Sequence, residues 1–228
     1  MSTIVVVSAH PDDETLGAGG TILRHVEHGD AVHWLIVSAG WEPRYQAEAL
    51  RTKQREVDSV AAFYRMTSHK TLGLPCTQLA DLPLNQLIDP IAAFISAVRP
   101  DTVYTVHPGD VHTDHVTVFT ALWSACRTFR AATTGPRRIL SWETLSSTDA
   151  APPDPARAFI PQVWVDIGRH LEGKLTAMNL FSSEAQNDPL PRGPSAIRAL
   201  ARIRGAQVGL LSAEAFHLHR DVIVEEKP

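Results

Sequence analysis

Short apolar runs alternate with longer amphipathic segments along most of this chain. The first forty residues set the pattern: an apolar run at 4–8, an amphipathic stretch near 15–28, Gly29-Asp30 as a stop, and a second apolar run at 32–37. That order predicts a βαβ unit. Residues 44–66 place Leu50, Val57, Val60, Ala61 and Tyr64 at helical spacing and predict a helix, followed by a short strand at 69–73. A helix over 84–98 stops at Arg99-Pro100 and leads into a strand at 102–106. A helix over 114–130 and a strand over 138–143 continue the alternation. Sustained βα alternation predicts an α/β fold, a Rossmann-like three-layer sandwich with a mostly parallel sheet, in a single domain over 1–228. Beyond Thr148 the pattern is broken by the Pro-rich loops 150–155 and 188–194. Around them it predicts a strand at 163–167, helices at 170–181 and 195–205, and an extended segment at 214–224.

Composition narrows the class without changing this picture. The 228 residues are 44% hydrophobic and 20% charged, with a formal net charge of −4. No basic tract suggests a nucleic-acid partner, and no apolar run approaches the length of a membrane span. The start, MSTIVVVSAHPDD, lacks a cationic stretch, so no export signal is expected and the cytoplasm is the expected compartment. Cys76 and Cys126 form no C-x-x-C pair and read as core residues. The sequence leaves a homo-oligomer open.

The chemistry sits at the ends of two predicted strands. Ala9-His-Pro-Asp-Asp-Glu14 follows the first, and His107-Pro-Gly-Asp-Val-His-Thr-Asp-His115 follows the strand at 102–106. Strands of one parallel sheet end on the same edge, so the two clusters can meet. His10, Asp13 and His115 would then offer two imidazoles and a carboxylate, a donor set suited to catalytic zinc with an open position. Consecutive side chains diverge, so Asp12 and Asp13 divide the work: one ligates while the other faces the attacking water. The same donor set also describes non-haem iron enzymes, and Fe2+ is the alternative metal.

His10-Pro-Asp-Asp-Glu14 paired with His112-Thr-Asp-His115 resembles the signature of the PIG-L/LmbE-like family of zinc-dependent N-acetylglucosaminyl deacetylases. Ile203-Arg-Gly-Ala-Gln-Val-Gly209, Ser212-Ala-Glu-Ala-Phe216, Val165-Asp-Ile167 and Lys174 are similar to its C-terminal regions. The resemblance implies an LmbE-like fold and removal of an N-acyl group, acetyl first, from a small amino sugar or glycoconjugate. An amidase acting on a sugar–thiol conjugate is the related alternative. It further implies His10, Asp13 and His115 as Zn2+ ligands, Asp12 as general base, and His112 as a cationic group that polarises the amide carbonyl. Asp114 becomes a catalytic partner holding a histidine in the required tautomer. Two stretches depart from the family pattern: Lys53 stands three residues before Glu56 where the family usually has Arg, and Ser183-Glu184 stands where it often shows Ser-Gln.

Other residues near the same edge are candidates for substrate contact. Trp41 and Arg44 follow the second strand, and His107 opens the second cluster. Asp110, beside Pro108-Gly109, reads as a turn former as readily as a site residue. His217 and His219 read as splitting between the site and the opposite face.

Overall fold

The computed structural model describes residues 1–127 and 135–225. Its elements are β1 (Thr3–Ser8), α1 (Asp13–Glu27), β2 (Ala31–Ala39), α2 (Ala47–Phe63), β3 (Ser68–Pro75), α3 (Asn85–Val98), β4 (Thr102–Thr105) and α4 (Thr113–Ala125). They are followed by β5 (Arg138–Trp142), β6 (Val163–Asp166), α5 (Leu171–Leu180), α6 (Pro194–Ala206) and β7 (Ala213–Asp221). The predicted alternation is therefore present. Helix α4 ends at Ala125, and the expected helical residues 128–130 lie outside the described residues.

One seven-stranded sheet has the order β3-β2-β1-β4-β5-β7-β6. Strands β1 to β5 pair in parallel, while β7 runs antiparallel to both β5 and β6. The central strands are buried on both faces; Val5, Val6, Val7, Leu35, Ile36 and Val103 have no solvent exposure. That is the pattern of a parallel sheet covered by helices, and it explains why these strands read as continuous apolar runs. The chain builds outward from β1 to β3 and then crosses to β4 on the other side of β1. The crevice at this reversal, outside the strand ends of β1 and β4, is where such sheets bind ligands.

Helix α1 begins at Asp13, earlier than the periodicity suggests, so Asp13 and Glu14 sit in its first turn. Carboxylates there complement the positive end of the helix dipole. Glycines let the helix approach its neighbours closely: a Cβ on Gly17 would lie 2.0 Å from the Trp142 ring. A buried ion pair also enters α1. Lys174 Nζ donates to the Leu16 carbonyl (2.8 Å) and to Glu214 Oε1 (2.7 Å), and the Glu214 carboxylate accepts the N–H groups of Gly20 (2.9 Å) and Thr21 (2.7 Å). The Leu16 carbonyl and Gly20 N–H are ordinarily each other's helical partners, so α5 and β7 are tied to α1 through its own backbone.

Candidate metal centre and active site

His10 leaves the end of β1, and His112 and His115 stand at the start of α4 beyond β4. The three rings meet: centroids are 4.4 Å apart for His10 and His112, 5.4 Å for His10 and His115, and 5.1 Å for His112 and His115. One nitrogen from each lies within 4.8 Å of the others. Asp13 sits between two of them, with Oδ2 3.6 Å from His10 Nδ1 and Oδ1 3.3 Å from His115 Nε2.

The remaining ring nitrogens are held by carboxylates. His10 Nε2 lies 2.9 Å from Asp114 Oδ2, and His115 Nδ1 lies 2.7 Å from Asp110 Oδ2. Because a carboxylate accepts, each ring donates there and presents its other nitrogen toward Asp13. A carboxylate behind each imidazole is the usual support of a histidine metal ligand. Asp114 also accepts the N–H groups of Thr77 (2.6 Å) and Leu79 (3.1 Å), while Asp110 accepts the Thr148 hydroxyl (2.6 Å).

This grouping attracts positive charge. Burial works to lower the pKa of His10, but Asp114 and Asp13 outweigh it and lift it to about 9. Burial likewise opposes protonation of His115, which Asp13 and Asp110 raise to about 10. Asp13 is driven up by burial yet held well below the ordinary carboxylate range by His115 and His10. A divalent ion placed among these two ring nitrogens and the Asp13 carboxylate would meet the same electrostatic demand, so the donor set fits such an ion.

Asp12 behaves differently. It occupies the N-cap position of α1 but makes no capping bond, because its backbone lies at φ 109°, ψ −26°, far from the extended geometry a cap needs. Such a conformation in a non-glycine residue stores strain and clusters at functional sites. Its buried carboxylate instead meets Arg192 Nη1 at 2.9 Å. Burial pushes the Asp12 pKa up to about 7 despite the opposing pull of Arg192. For His112, burial and then the neighbouring His10 and His115 lower the pKa to about 4. Its Nδ1 accepts the Asp114 N–H at 3.2 Å, so the neutral ring carries its proton on Nε2. Burial and the two neighbouring imidazoles thus disfavour the cationic form of His112 that the resemblance implied.

These groups line a cavity of about 570 Å³ that also includes Tyr45, Lys53, Glu184 and Arg192. Trp41 and Arg44 are not among its lining residues, although their neighbour Tyr45 is. His107 is buried outside it, donating from Nε2 to the Arg157 carbonyl (3.2 Å) with Nδ1 3.2 Å from Ser141 Oγ. His217 and His219 share one face of β7, with ring centroids 4.5 Å apart, because residues two apart in a strand point the same way. Asp110, Lys53, Glu184 and Arg192 join the site without a sequence reading that gave them a role. Asp110 lies five residues before His115, Lys53 and Glu184 stood out in the sequence only as departures from the family pattern, and Arg192 carries no local signal, since it meets Asp12 from 180 positions away. Both cysteines are free and buried, and Cys76 lies at the cavity wall. No helix among the described residues is long and apolar enough to cross a membrane.

Comparison with known proteins bears on the fold and the family. The uncharacterized deacetylase YaiS of Escherichia coli (strain K12) is 28% identical over 187 residues, covering 79% of this chain and 90% of its own. The N,N'-diacetylchitobiose deacetylase of Pyrococcus horikoshii shares the fold with a TM-score of 0.77 at 18% identity, over 95% of this chain and 83% of that one. GalB of Pseudomonas putida KT2440, a 4-carboxy-2-hydroxymuconate hydratase, shares it with a TM-score of 0.76 at 19% identity, over 100% of both chains. The family model described as PIG-L, GlcNAc-PI de-N-acetylase, matches residues 5–126, which contain both histidine clusters. The chain belongs to the PIG-L family.

Proposed function

We propose that this protein is a metal-dependent hydrolase that removes an N-acyl group, acetyl first, from a small amino sugar or glycoconjugate. One observation carries the reading: two carboxylate-backed imidazoles present their other nitrogens to Asp13 in a cavity that a second carboxylate, Asp12, also lines. His10, Asp13 and His115 would hold the ion, with zinc favoured by the donor set. Bound there, a divalent ion supplies Lewis acidity toward the amide carbonyl and the attacking water.

The protein's own groups handle the protons. Asp12 takes a proton from water as its oxygen adds to the carbonyl carbon. The tetrahedral oxyanion that forms accepts a hydrogen bond from His112 Nε2–H, and one such donor is worth about 2.7–4 kcal/mol in the transition state. Asp12, now protonated, returns the proton to the leaving nitrogen as the C–N bond breaks, releasing a carboxylic acid and an amine. A pKa near 7 suits a group that must first accept and then give a proton.

The test combines metal analysis with amine release from a panel of N-acetylated amino sugars. Turnover should survive without dioxygen, vanish with a chelator and return with zinc. Asp12→Asn should lower kcat by about 100-fold or more, the scale of general base catalysis, with metal content unchanged. Metal-loaded protein that releases no amine from the panel, or an Asp12→Asn variant with full turnover, overturns the reading.

A further inference from the structure

The loop between α5 and α6 contributes Ser183, Glu184 and Arg192 to the cavity wall and is a strap fastened at both ends. Near its start, Glu56 of α2 accepts Ser182 Oγ (2.7 Å), Ser183 N–H (2.9 Å) and Ser183 Oγ (2.7 Å). Near its end, Asp188 accepts the N–H (3.0 Å) and hydroxyl (2.6 Å) of Ser195. Between these fastenings Gln186 Oε1 accepts the Arg192 N–H at 3.1 Å, which fixes where the Arg192 side chain begins. Its guanidinium then reaches three acceptors at once: Nη1 lies 2.9 Å from Asp12 Oδ2 and 2.6 Å from Glu184 Oε2, and Nε lies 3.4 Å from Ser146 Oγ.

Arg192 is the sole hydrogen-bond partner of the Asp12 carboxylate among the described residues, and it engages only Oδ2. Among the described residues no hydrogen bond reaches Oδ1, and Asp12 lines the cavity. The Asp12 backbone at φ 109° denies the carboxylate the helix N–H groups that an aspartate in this position commonly caps. Nothing else in its own segment aims it.

We propose that Arg192 is a positioning residue for the reaction: the strap delivers its guanidinium to one oxygen of Asp12, so that the other oxygen faces the substrate. This rests on the reading of Asp12 as the base. Nη1 serves both carboxylates while Nε is turned toward Ser146, so an ammonium reproduces the charge but not the planar group that fixes its direction, and Arg192→Lys should be impaired.

The experiment compares Arg192→Ala and Arg192→Lys with the parent protein, by kinetics on an N-acetylated substrate and by crystallography of the metal-loaded proteins. Misplacing a reacting group by about 1 Å costs on the order of 100-fold, so Arg192→Ala should lose about that much in kcat with KM nearly unchanged. Metal content should stay as in the parent, and Arg192→Lys, which keeps a cation beside Asp12 and Glu184, controls for the stability lost when Arg192→Ala leaves the buried Asp12 carboxylate without its partner. Added guanidinium ion should restore much of the lost kcat in a saturable way, whereas Arg192→Lys should remain impaired. In the Arg192→Ala crystal structure the Asp12 carboxylate should turn away from its parent direction. Superposable Asp12 side chains, or a kcat within about threefold of the parent, would overturn the proposal. If the parent hydrolyses no amide at all, the proposed function fails, and the crystallographic comparison still decides whether Arg192 aims Asp12.

Discussion

Replacing Lys174 by methionine probes how the far side of the fold supports the site. Lys174 and Glu214 are 3% and 4% exposed, and their contact of 2.7 Å is shielded from water. Breaking such a pair by removing one partner costs about 3–5 kcal/mol, because the other charge stays buried without compensation. For a protein of this size, each kcal/mol corresponds to about 2–4 °C, so Lys174→Met should lower the melting midpoint by roughly 10 °C. The double variant Lys174→Met, Glu214→Leu should behave differently. It frees the Leu16 carbonyl and the Gly20 N–H together, and these two can close the regular helical bond that the ion pair now occupies. Well-packed apolar replacements of buried pairs are often close to neutral, so the double variant should lie within about 1.5 kcal/mol of the parent. Urea unfolding followed by tryptophan fluorescence measures all of the variants. A loss below about 1 kcal/mol for Lys174→Met, the range of exposed pairs, would refute the reasoning. So would a double variant as unstable as the sum of the single ones, since the backbone groups would then have failed to find each other.

Three further outcomes follow from the geometry. Gly17→Ala should destabilise despite alanine's helix propensity advantage of about 1 kcal/mol, because its Cβ would meet the Trp142 indole at 2.0 Å; a raised melting midpoint in calorimetry would contradict this. Asp110→Ala removes the acceptor behind His115 and should weaken metal affinity about 10–100-fold in a chelator competition, with unchanged affinity counting against the metal site. His219 is pushed down to about 4 by burial and then by His217 and His107, so the unfolded chain, with a histidine pKa of about 6.5, binds the proton more readily. Its contribution is complete above about pH 6.5 and disappears as the pH falls toward about 4; at this half-buried site it amounts to about 1 kcal/mol after solvent screening. His219→Gln should therefore flatten the stability curve between those limits, and parallel curves for the two proteins would remove the effect.

The limits of the sequence reading have a common physical origin. Strands β1, β2 and β4 announce themselves because burial on both faces demands uninterrupted apolar runs, and the histidine clusters follow two of them directly. The direction of β7 leaves no such trace, since the side-chain pattern of a strand packed between two neighbours reads the same whichever way it runs. Position at a strand end likewise says which edge a residue reaches but not whether it faces the crevice. Tyr45 lines the cavity while Trp41 and Arg44 do not, and His107 is turned beneath the sheet edge toward Ser141.

The residues that meet at the site from the two motifs were legible, but the groups that hold them were only partly so. Asp114 could be anticipated as the partner of a histidine because it stands within the motif. Arg192 could not, because its meaning depends on Glu56, Gln186 and Asp188 fastening a loop, none of which is near Asp12 in the chain. On the proposed function, a motif of six residues is sufficient to place the base beside the metal ligands, since both follow one strand. It is insufficient to orient that base: at φ 109° Asp12 has left the conformation in which its own helix could hold it. Orientation must then come from outside the motif, and in this fold the strap between α5 and α6 is the element that reaches it.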